Sequence, residues 1–387
     1  MTITTAFETA FWSALTLLIY AYFVYPLLMA TIAGRSKVTA LDGNSLYQKK
    51  LPSVAVLVAA FNEEKHIAAR IENLLQQDYP REKLQIIVGS DGSSDGTAEI
   101  ARKYAAPRTV VHEFRVNRGK ASVLNDLVAR ASADVLVFTD ANTVFNADTV
   151  RQLVLALNAQ TSAVCGELIL EARHQGNNQD HQYWNFERRL KAAESNIGGL
   201  LGANGGVYAI HRACYQPLRP DTICDDFVIA MNIAVAGKGL RYIPAAAAFE
   251  DTPTDMVAEF HRRVRIGIGN YQALFRHPQY LFGGSWALSF TYFSHKVLRW
   301  LTPHLLILVL ASSIFLAGTS LYKLAAVSQL LGYAAAIAVF WLRNRYAWPK
   351  SIRAALLFAT LNLAFLVAFK RFLAADYSGS WRRTERA

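Results

Sequence analysis

Three stretches of this chain place oxygen-bearing side chains at the end of an apolar run. "VLVFTDAN" stops at Asp140 and reaches Asn142, "VAVLVAAFNEE" runs into Asn62 and Glu63, and "LQIIVGSD" ends on Asp91. Apolar runs of this length read as buried strands. A carboxylate closing such a strand is costly without a partner. A divalent cation would satisfy Asp140, and so would the start of a following helix; the D-x-N pattern alone leaves both open. "DGSSDG" matches the first half of a calcium loop, but Arg102 stands where that loop needs a bidentate glutamate. Calcium is therefore excluded, and the stretch reads as a tight turn that carries Asp91 to the edge of a ligand pocket.

Further charged motifs follow. "NRGKASVLND" sets Arg118 and Lys120 on either side of Gly119, just ahead of a helical stretch. Two cations at a helix start suit a phosphate; solvated surface charge is the other reading. "ICDDF" puts Asp225 and Asp226 where a helix begins, a place that favours acids for dipole reasons alone. "RRVRI" offers Arg262 and Arg265, followed by Gly267 and Gly269, which should loosen the segment as a helix. There is no GxxxxGK[ST], "GANGG" lacks the lysine, and no GxGxxG follows the first apolar run. A P-loop and an ordinary dinucleotide fold are thereby disfavoured.

The elements that must position these residues alternate. Residues 53–60 read as a strand, 63–77 as a helix with Ile67, Ile71, Leu74 and Leu75 on one face, and 84–90 as a second strand. Asp95 can cap a helix over 96–104, residues 109–114 form a third strand, and a helix over 120–131 leads to a fourth strand at 134–140. This alternation predicts a doubly wound sheet with ligands beyond the carboxyl ends of its strands. Those ends are where "NEE", "DGSSDG" and "DAN" fall.

Outside this region the chain is built for a membrane. It has 387 residues, 53% of them hydrophobic, and a net charge of +11. Residues 10–34 are uncharged and long enough to span, with no charged segment before them to suggest a removable signal. Apolar segments recur at about 300–318, 321–342 and 354–372. The predicted plan is a spanning helix at 1–34, a linker at 35–51, a cytosolic domain at 52–276, an interfacial amphipathic helix at 277–299, about three spanning helices at 300–373, and a basic tail at 374–387. Arg35, Lys37, Lys49 and Lys50, then Arg343, Arg345, Lys350 and Arg353, should be cytoplasmic. Three crossings after the domain would put the tail outside, against the charge of "GSWRRTER". Either the last segment does not fully span or the charge rule fails. No zinc-finger spacing, RNP-like motif or long basic run points to nucleic acid. Cys165, Cys214 and Cys224 form no CxxC pair and read as ordinary reduced thiols.

Taken in order, "AAFNEE", "SDGSSDGT", "NRGKASVLN", "FTDANT", "GANGGVYAIHR" and "ICDDF" resemble the family-two glycosyltransferases with a GT-A fold. The membrane plan resembles their subgroup of hyaluronan, chitin-oligosaccharide, cellulose and poly-N-acetylglucosamine synthases. The resemblance runs over residues 10–386. It implies an α/β GT-A nucleotide-sugar-binding domain, a doubly wound mixed sheet, joined to transmembrane α-helices in an inner membrane. It implies an inverting transferase in exopolysaccharide or cell-surface glycan synthesis. Asp140, with Asn142 as a weaker ligand, would sit beside a Mg2+ or Mn2+ bound to a nucleotide diphosphate, a hard cation among hard oxygens. Asn62, Glu63, Asp91, Arg118, Lys120, Asp140 and Arg265 would bind the nucleotide. Asn204, Gly205, Gly206, Asp225 and Arg262 would face the donor or acceptor sugar, and Asp226 would be the catalytic base. Asp225 replaces the usual glutamate. Polymerising members carry Gln-x-x-Arg-Trp, where this chain keeps Arg265 but has Ile266 for the tryptophan.

The expected partners are a nucleotide sugar, UDP-linked, a glycan or lipid-linked acceptor, and membrane lipids. A second copy of the chain or an export partner is compatible with this set; nucleic acid is not part of it. Two alternatives are single-sugar transfer to polyprenyl phosphate and a non-catalytic nucleotide-sugar-binding export subunit.

Overall fold

The computed structural model describes residues 2–33, 47, 50–171, 178–251, 256–343, 345–346 and 348–380. Arg35, Lys37 and Lys49, and the tail beyond Ser380, lie outside the described residues. The strands are β1 (Val54–Ala60), β2 (Leu84–Asp91), β3 (Thr109–Phe114), β4 (Val135–Asp140), β5 (Val144–Phe145), β6 (Ala163–Glu171), β7 (Tyr208–His211) and β8 (Leu240–Asp251). The helices of the domain are α1 and α2 (Ile3–Ile19 and Tyr25–Ala33) leading in, then α3 (Ile67–Leu75), α4 (Thr97–Arg102), α5 (Lys120–Arg130), α6 (Thr149–Ala156), α7 (Asn178–Asn196), α8 (Asp225–Val235) and α9 (Met256–Arg276). After them come α10 (Gln279–Phe282), α11 (Trp286–Thr291), α12 (Leu298–Phe315), α13 (Ser320–Leu342) and α14 (Lys350–Leu373).

All eight strands form one sheet in the order β3-β2-β1-β4-β7-β6-β8-β5. The four expected strands are mutually parallel, β3 on β2, β2 on β1 and β1 on β4. β7 then runs antiparallel to both β4 and β6, which makes the sheet mixed. Every residue of β1 is buried, because both of its faces are covered. Val54, Val56 and Val58 pack with Ile67, Ile71 and Leu74 of α3. Ala55, Leu57 and Ala59 pack with Val123, Leu124 and Leu127 of α5. Such a strand shows no alternation, only a continuous apolar run. The carboxyl ends of β1, β2 and β4 consequently open on the same edge, which is where the chemistry sits.

Among the described residues, four helices are long and apolar enough to cross a membrane, at Ile3–Ile32, Trp286–Phe315, Ser320–Leu342 and Lys350–Leu373. Two of them contain a π-turn, at Tyr20–Val24 and Tyr292–Val297. The separate interfacial helix expected over 277–299 is not what forms. Only α10 stands apart, and α11 continues through its π-turn into α12. The charges that suggested a headgroup location find carboxylates on α7 instead. His295 Nδ1 lies 2.6 Å from Glu194 Oε1, and Arg299 Nη1 donates to Glu187 Oε1 at 2.8 Å. Tyr25 donates its hydroxyl to the same Glu194 at 2.7 Å. A buried charge paired in this way needs no water.

The end of the chain also departs from a simple count of crossings. α12 and α13 are an antiparallel pair: Tyr322 at the start of α13 meets Phe11 of α1 edge-on at 5.1 Å, and Gln329 Nε2 donates to Leu306 O at 2.9 Å. The C-terminal half of α14 lies beside α9, with Phe369 5.1 Å from Tyr271 and Phe372 stacked on Phe275 at 5.4 Å. A Cβ on Gly267 would come within 2.7 Å of Ala368 Cβ, and one on Gly269 within 2.5 Å of Cys224 Sγ. The two glycines therefore do not break α9, which runs unbroken over 21 residues. They let it press against α14 on one side and the approach to α8 on the other. The end of α14 is thus held on the side of the catalytic domain, together with the basic residues Lys370 and Arg371.

Candidate active site

The site is organised around one ammonium group. Gly119 adopts φ 90°, a left-handed turn that starts α5 and aims Lys120 inward. Lys120 Nζ donates to Asp140 Oδ1 at 2.8 Å and lies 3.3 Å from Asp225 Oδ2. Asp140 closes β4, while Asp225 and Asp226 form the first turn of α8. The fields of these carboxylates raise the Lys120 pKa against the opposing effect of burial. Asp226 behaves in the opposite sense to an ordinary aspartate. Burial first, then the neighbouring Asp225 charge, pushes it up to about 6, and Lys120 only partly restrains the rise. A carboxyl group with that affinity is suited to accept a proton near neutral pH.

Gly205 and Gly206 form the wall opposite. A Cβ on Gly205 would come within 3.2 Å of Asp226 Oδ2 and 3.7 Å of Asp140 Oδ2. The residue therefore stands between the two carboxylates and leaves room only because it lacks a side chain. Asn204 beside it holds the turn. Its Nδ2 donates to Gly166 O at 2.7 Å, its backbone N to Cys165 Sγ at 3.2 Å, and its Oδ1 accepts from Lys191. Asn204 thus positions the glycines.

Two groups that no motif singled out support the end of β4 and the turn after it. Arg70 of α3 is buried at 2% exposure beneath the end of β4. Its Nη2 donates to Thr139 Oγ1 at 2.7 Å, Nη1 to Asn73 Oδ1 at 2.6 Å, and the guanidinium lies 4.1 Å over the Phe145 ring. Thr139 passes the link on by donating to Gly206 O at 2.7 Å. Burial lowers the Arg70 pKa to about 9, with Asp140 opposing the shift, so it stays cationic at neutral pH. Its sequence signal was its place between Ile67 and Leu74, on the apolar face of α3. The second group is Glu250 of β8, whose Oε1 accepts from Asn142 Nδ2 at 3.2 Å. It is remote in sequence and carries no local signal.

Several expected ligands are placed differently. Asp91 is fully buried, and its two oxygens accept from the backbone N–H groups of Arg118 and Gly119 at 2.9 and 2.8 Å. The anion at the start of α5 is therefore the protein's own carboxylate, and Asp91 shapes the wall of the pocket rather than its surface. Arg118 turns away from Lys120; it pairs with Asp126 and lies 4.3 Å over the Phe114 ring. Asn62, at φ 55°, accepts from Ser94 N at 2.9 Å, and Glu63 N donates to Thr97 Oγ1 at 2.7 Å. Both tie the loop after β1 to the loop after β2. Arg262 is held by Glu259 through two bonds of 2.7 and 3.0 Å. Arg265 lies closer to the chemistry: its field reaches Cys224, next to Asp225, and its Nε is buried without a hydrogen-bond partner among the described residues.

A divalent cation accompanied by a diphosphate fits this donor set. Asp140 offers a carboxylate oxygen beside the space kept by Gly205. Asn142, having given Nδ2 to Glu250, retains its carbonyl oxygen. Among the described residues no three His, Cys, Asp or Glu side chains converge to enclose a metal. One or two protein oxygens completed by substrate phosphates is the usual arrangement for Mg2+.

Comparison with known proteins bears on the family and the fold. Residues 55–212 match the family model described as glycosyl transferase family 2. The poly-beta-1,6-N-acetyl-D-glucosamine synthase of Staphylococcus epidermidis is 25% identical over 243 residues, covering 59% of this chain and 57% of that protein. The synthase of the same name from Staphylococcus aureus strain COL is 25% identical over 236 residues, with the same coverage. The chain thus spans little more than half the length of these relatives. Among solved structures, the mannosyltransferase PcManGT from Pyrobaculum calidifontis, in complex with GDP-Man and Mn2+, aligns with a TM-score of 0.72 at 24% identity, covering 95% of this chain and 99% of that one. That likeness shows a GT-A-like fold.

The electrostatics can be tested without a substrate. Lys120→Met removes the ammonium that restrains Asp226, whose pKa should then rise further. A carboxyl whose pKa is higher folded than unfolded stabilises the protein at low pH and loses that contribution as pH rises through the folded value. Thermal unfolding of the variant should therefore lose more stability between pH 5.5 and 8 than that of the parent. Equal slopes would show that Lys120 does not govern Asp226.

Proposed function

We propose that this chain, whose residues 55–212 form a glycosyltransferase family 2 domain, moves a sugar from a nucleotide diphosphate sugar to a hydroxyl acceptor at a membrane surface. The observation that carries this reading is the sharing of Lys120 by Asp140 and Asp225, with Asp226 beside them at the strand ends. The donor's diphosphate would lie against Lys120 and Arg265, two cations that favour the charge appearing as the glycosidic bond breaks. Asp140, with Asn142, would hold a divalent cation that supplies further charge neutralisation there. The presence of Mn2+ with GDP-Man in the mannosyltransferase supports that role.

Asp226 would take the proton of the acceptor hydroxyl as its oxygen attacks the anomeric carbon. The bond from that carbon to the diphosphate oxygen breaks, its electron pair leaves with the diphosphate, and the configuration inverts. The donor is UDP-linked in this reading, the nearby spans deliver a glycan or lipid-linked acceptor, and the domain faces the cytosol from an inner membrane. The named synthases favour a glycan product. One observation favours shorter products. Ile266 follows Arg265 on α9, and Tyr271, an aromatic residue further along, is fully buried. Neither position offers a flat exposed ring that could hold a sugar between cycles.

Turnover of a panel of nucleotide sugars by membranes or purified protein, with mass analysis of products, tests the assignment. No transfer from any of them would overturn it. Asp226→Asn should reduce transfer by about 10² to 10⁴-fold while leaving nucleotide binding nearly intact. In the parent, activity should fall as pH drops through about 6, where Asp226 becomes protonated. Near-parental turnover by Asp226→Asn would remove Asp226 from the mechanism.

Asp140→Ala should weaken metal-dependent nucleotide binding as well as turnover, and a chelator should abolish activity in the parent. Activity indifferent to chelator would refute the metal; undiminished metal-dependent binding in the variant would place it elsewhere.

At excess donor and limiting enzyme, the product should be one added sugar or a short chain. High polymer formed while most acceptor stays unextended would restore a processive synthase.

A further inference from the structure

Beyond α14 the chain folds back onto the catalytic domain. Ala375 takes a left-handed backbone at φ 52°, and Asp376 N donates to Arg371 O at 2.9 Å, closing the helix. Tyr377 then stacks on Phe372, with ring centroids 6.2 Å apart. Its hydroxyl accepts from Arg276 Nη2 at 3.0 Å, and Arg276 grips Asp221 through bonds of 3.0 and 2.6 Å. Two residues later Gly379 is wedged between two loops. A Cβ on Gly379 would come within 2.3 Å of Pro220 O, and a Cβ on Gly119 within 2.2 Å of Gly379 O. The contact is possible because both positions are glycine.

Those two loops lead directly to the chemistry. One ends in Lys120; the other runs from Pro220 to Asp225 and Asp226. Lys120 already ties the same two sides together from within the cleft through Asp140 and Asp225. That inner tie is electrostatic, and a bound diphosphate would compete for the ammonium. The outer tie through Gly379, Tyr377 and Arg276 makes no such contact with the donor. It would remain when the inner one is weakened.

We propose that residues 376–380 are a positioning strap that fixes the distance between the donor side of the cleft, at Lys120, and the base side, at Asp226. The proposal rests on the glycosyltransferase reading of the site, and it assigns the C-terminal segment to the reaction's geometry. Tyr377, Gly379, Arg276 and Asp221 act through the two loops rather than on substrate. Without the strap, the donor would still bind at Lys120, but the base would be misplaced relative to the anomeric carbon. A small misplacement is expensive in rate and nearly silent in nucleotide affinity.

The test uses the full chain, a chain ending after Ala375, Gly379→Ala and Tyr377→Phe, all in detergent micelles. Hydrogen exchange is the readout that needs no substrate. Amides at 118–122 and 219–224 should exchange faster in the truncated chain and in Gly379→Ala, while those of β1 stay protected. Transfer should fall in kcat by about 10- to 100-fold. UDP or GDP binding in the presence of Mn2+ should change by no more than about threefold. Tyr377→Phe, which keeps the ring stack and loses the bond to Arg276, should fall between parent and truncation. Unchanged exchange in both loops would overturn the strap. So would a truncated chain that transfers at or above the parental rate, since the tail would then be a dispensable or inhibitory cover. If the parent transfers no sugar from any donor while exchange responds as expected, the glycosyltransferase reading fails and the mechanical strap stands.

Discussion

The structure depends on one solved electrostatic problem, the placing of Asp140, Asp225 and Asp226 around Lys120. Carboxylates removed from water cost several kcal/mol each unless paired, and here a single ammonium is shared between β4 and α8. That sharing links parts of the chain more than a hundred residues apart. It requires a left-handed Gly119 to aim the lysine and a Gly205 to leave space between the acids. Burial and the neighbouring Asp225 charge outweigh Lys120 at Asp226, which is why its proton affinity is raised rather than lowered.

Around this centre the protein supports the site residues from behind with buried, paired groups. Arg70 backs Asp140 through Thr139, and Thr139 reaches Gly206. Asp91 fills the start of α5 with an internal anion. Lys191 of α7 holds Asn204, while Glu187 and Glu194 of the same helix bind Arg299, His295 and Tyr25. α7 therefore reaches the glycine turn through Lys191 and the apolar helices through Glu187 and Glu194 on either side of it. The packing of the membrane helices and the shape of the pocket wall share this one element.

Glycines serve contact more than flexibility here. Gly267 and Gly269 bring α9 against α14 and against Cys224, and Gly119 and Gly379 let two backbones meet. Their intrinsic cost in a helix is real, but a continuous α9 offsets it through packing that a larger residue would prevent. The same close approach holds the end of α14, with Lys370 and Arg371, on the domain side.

The sequence by itself determined the parallel half of the sheet, the strand ends that carry Asn62, Asp91 and Asp140, and the apolar helices. Each of these is a local pattern: an unbroken apolar run, a turn at its end, or a length of hydrocarbon. Lys120 and the paired acids at 225 and 226 were legible for the same reason. Only the tertiary structure decided what faces the pocket. Whether Asp91 met a ligand or the backbone of Gly119, and whether Arg118 pointed inward or toward Asp126, depended on side-chain direction across a turn, which composition and spacing do not encode. Glu250 and Arg70 became part of the site through strand and helix packing far from any motif. Tyr377 and Gly379 lie in a short tail whose sequence shows no periodic pattern. They acquire a place because α14 ends beside α9, and nothing local in the chain specifies that contact.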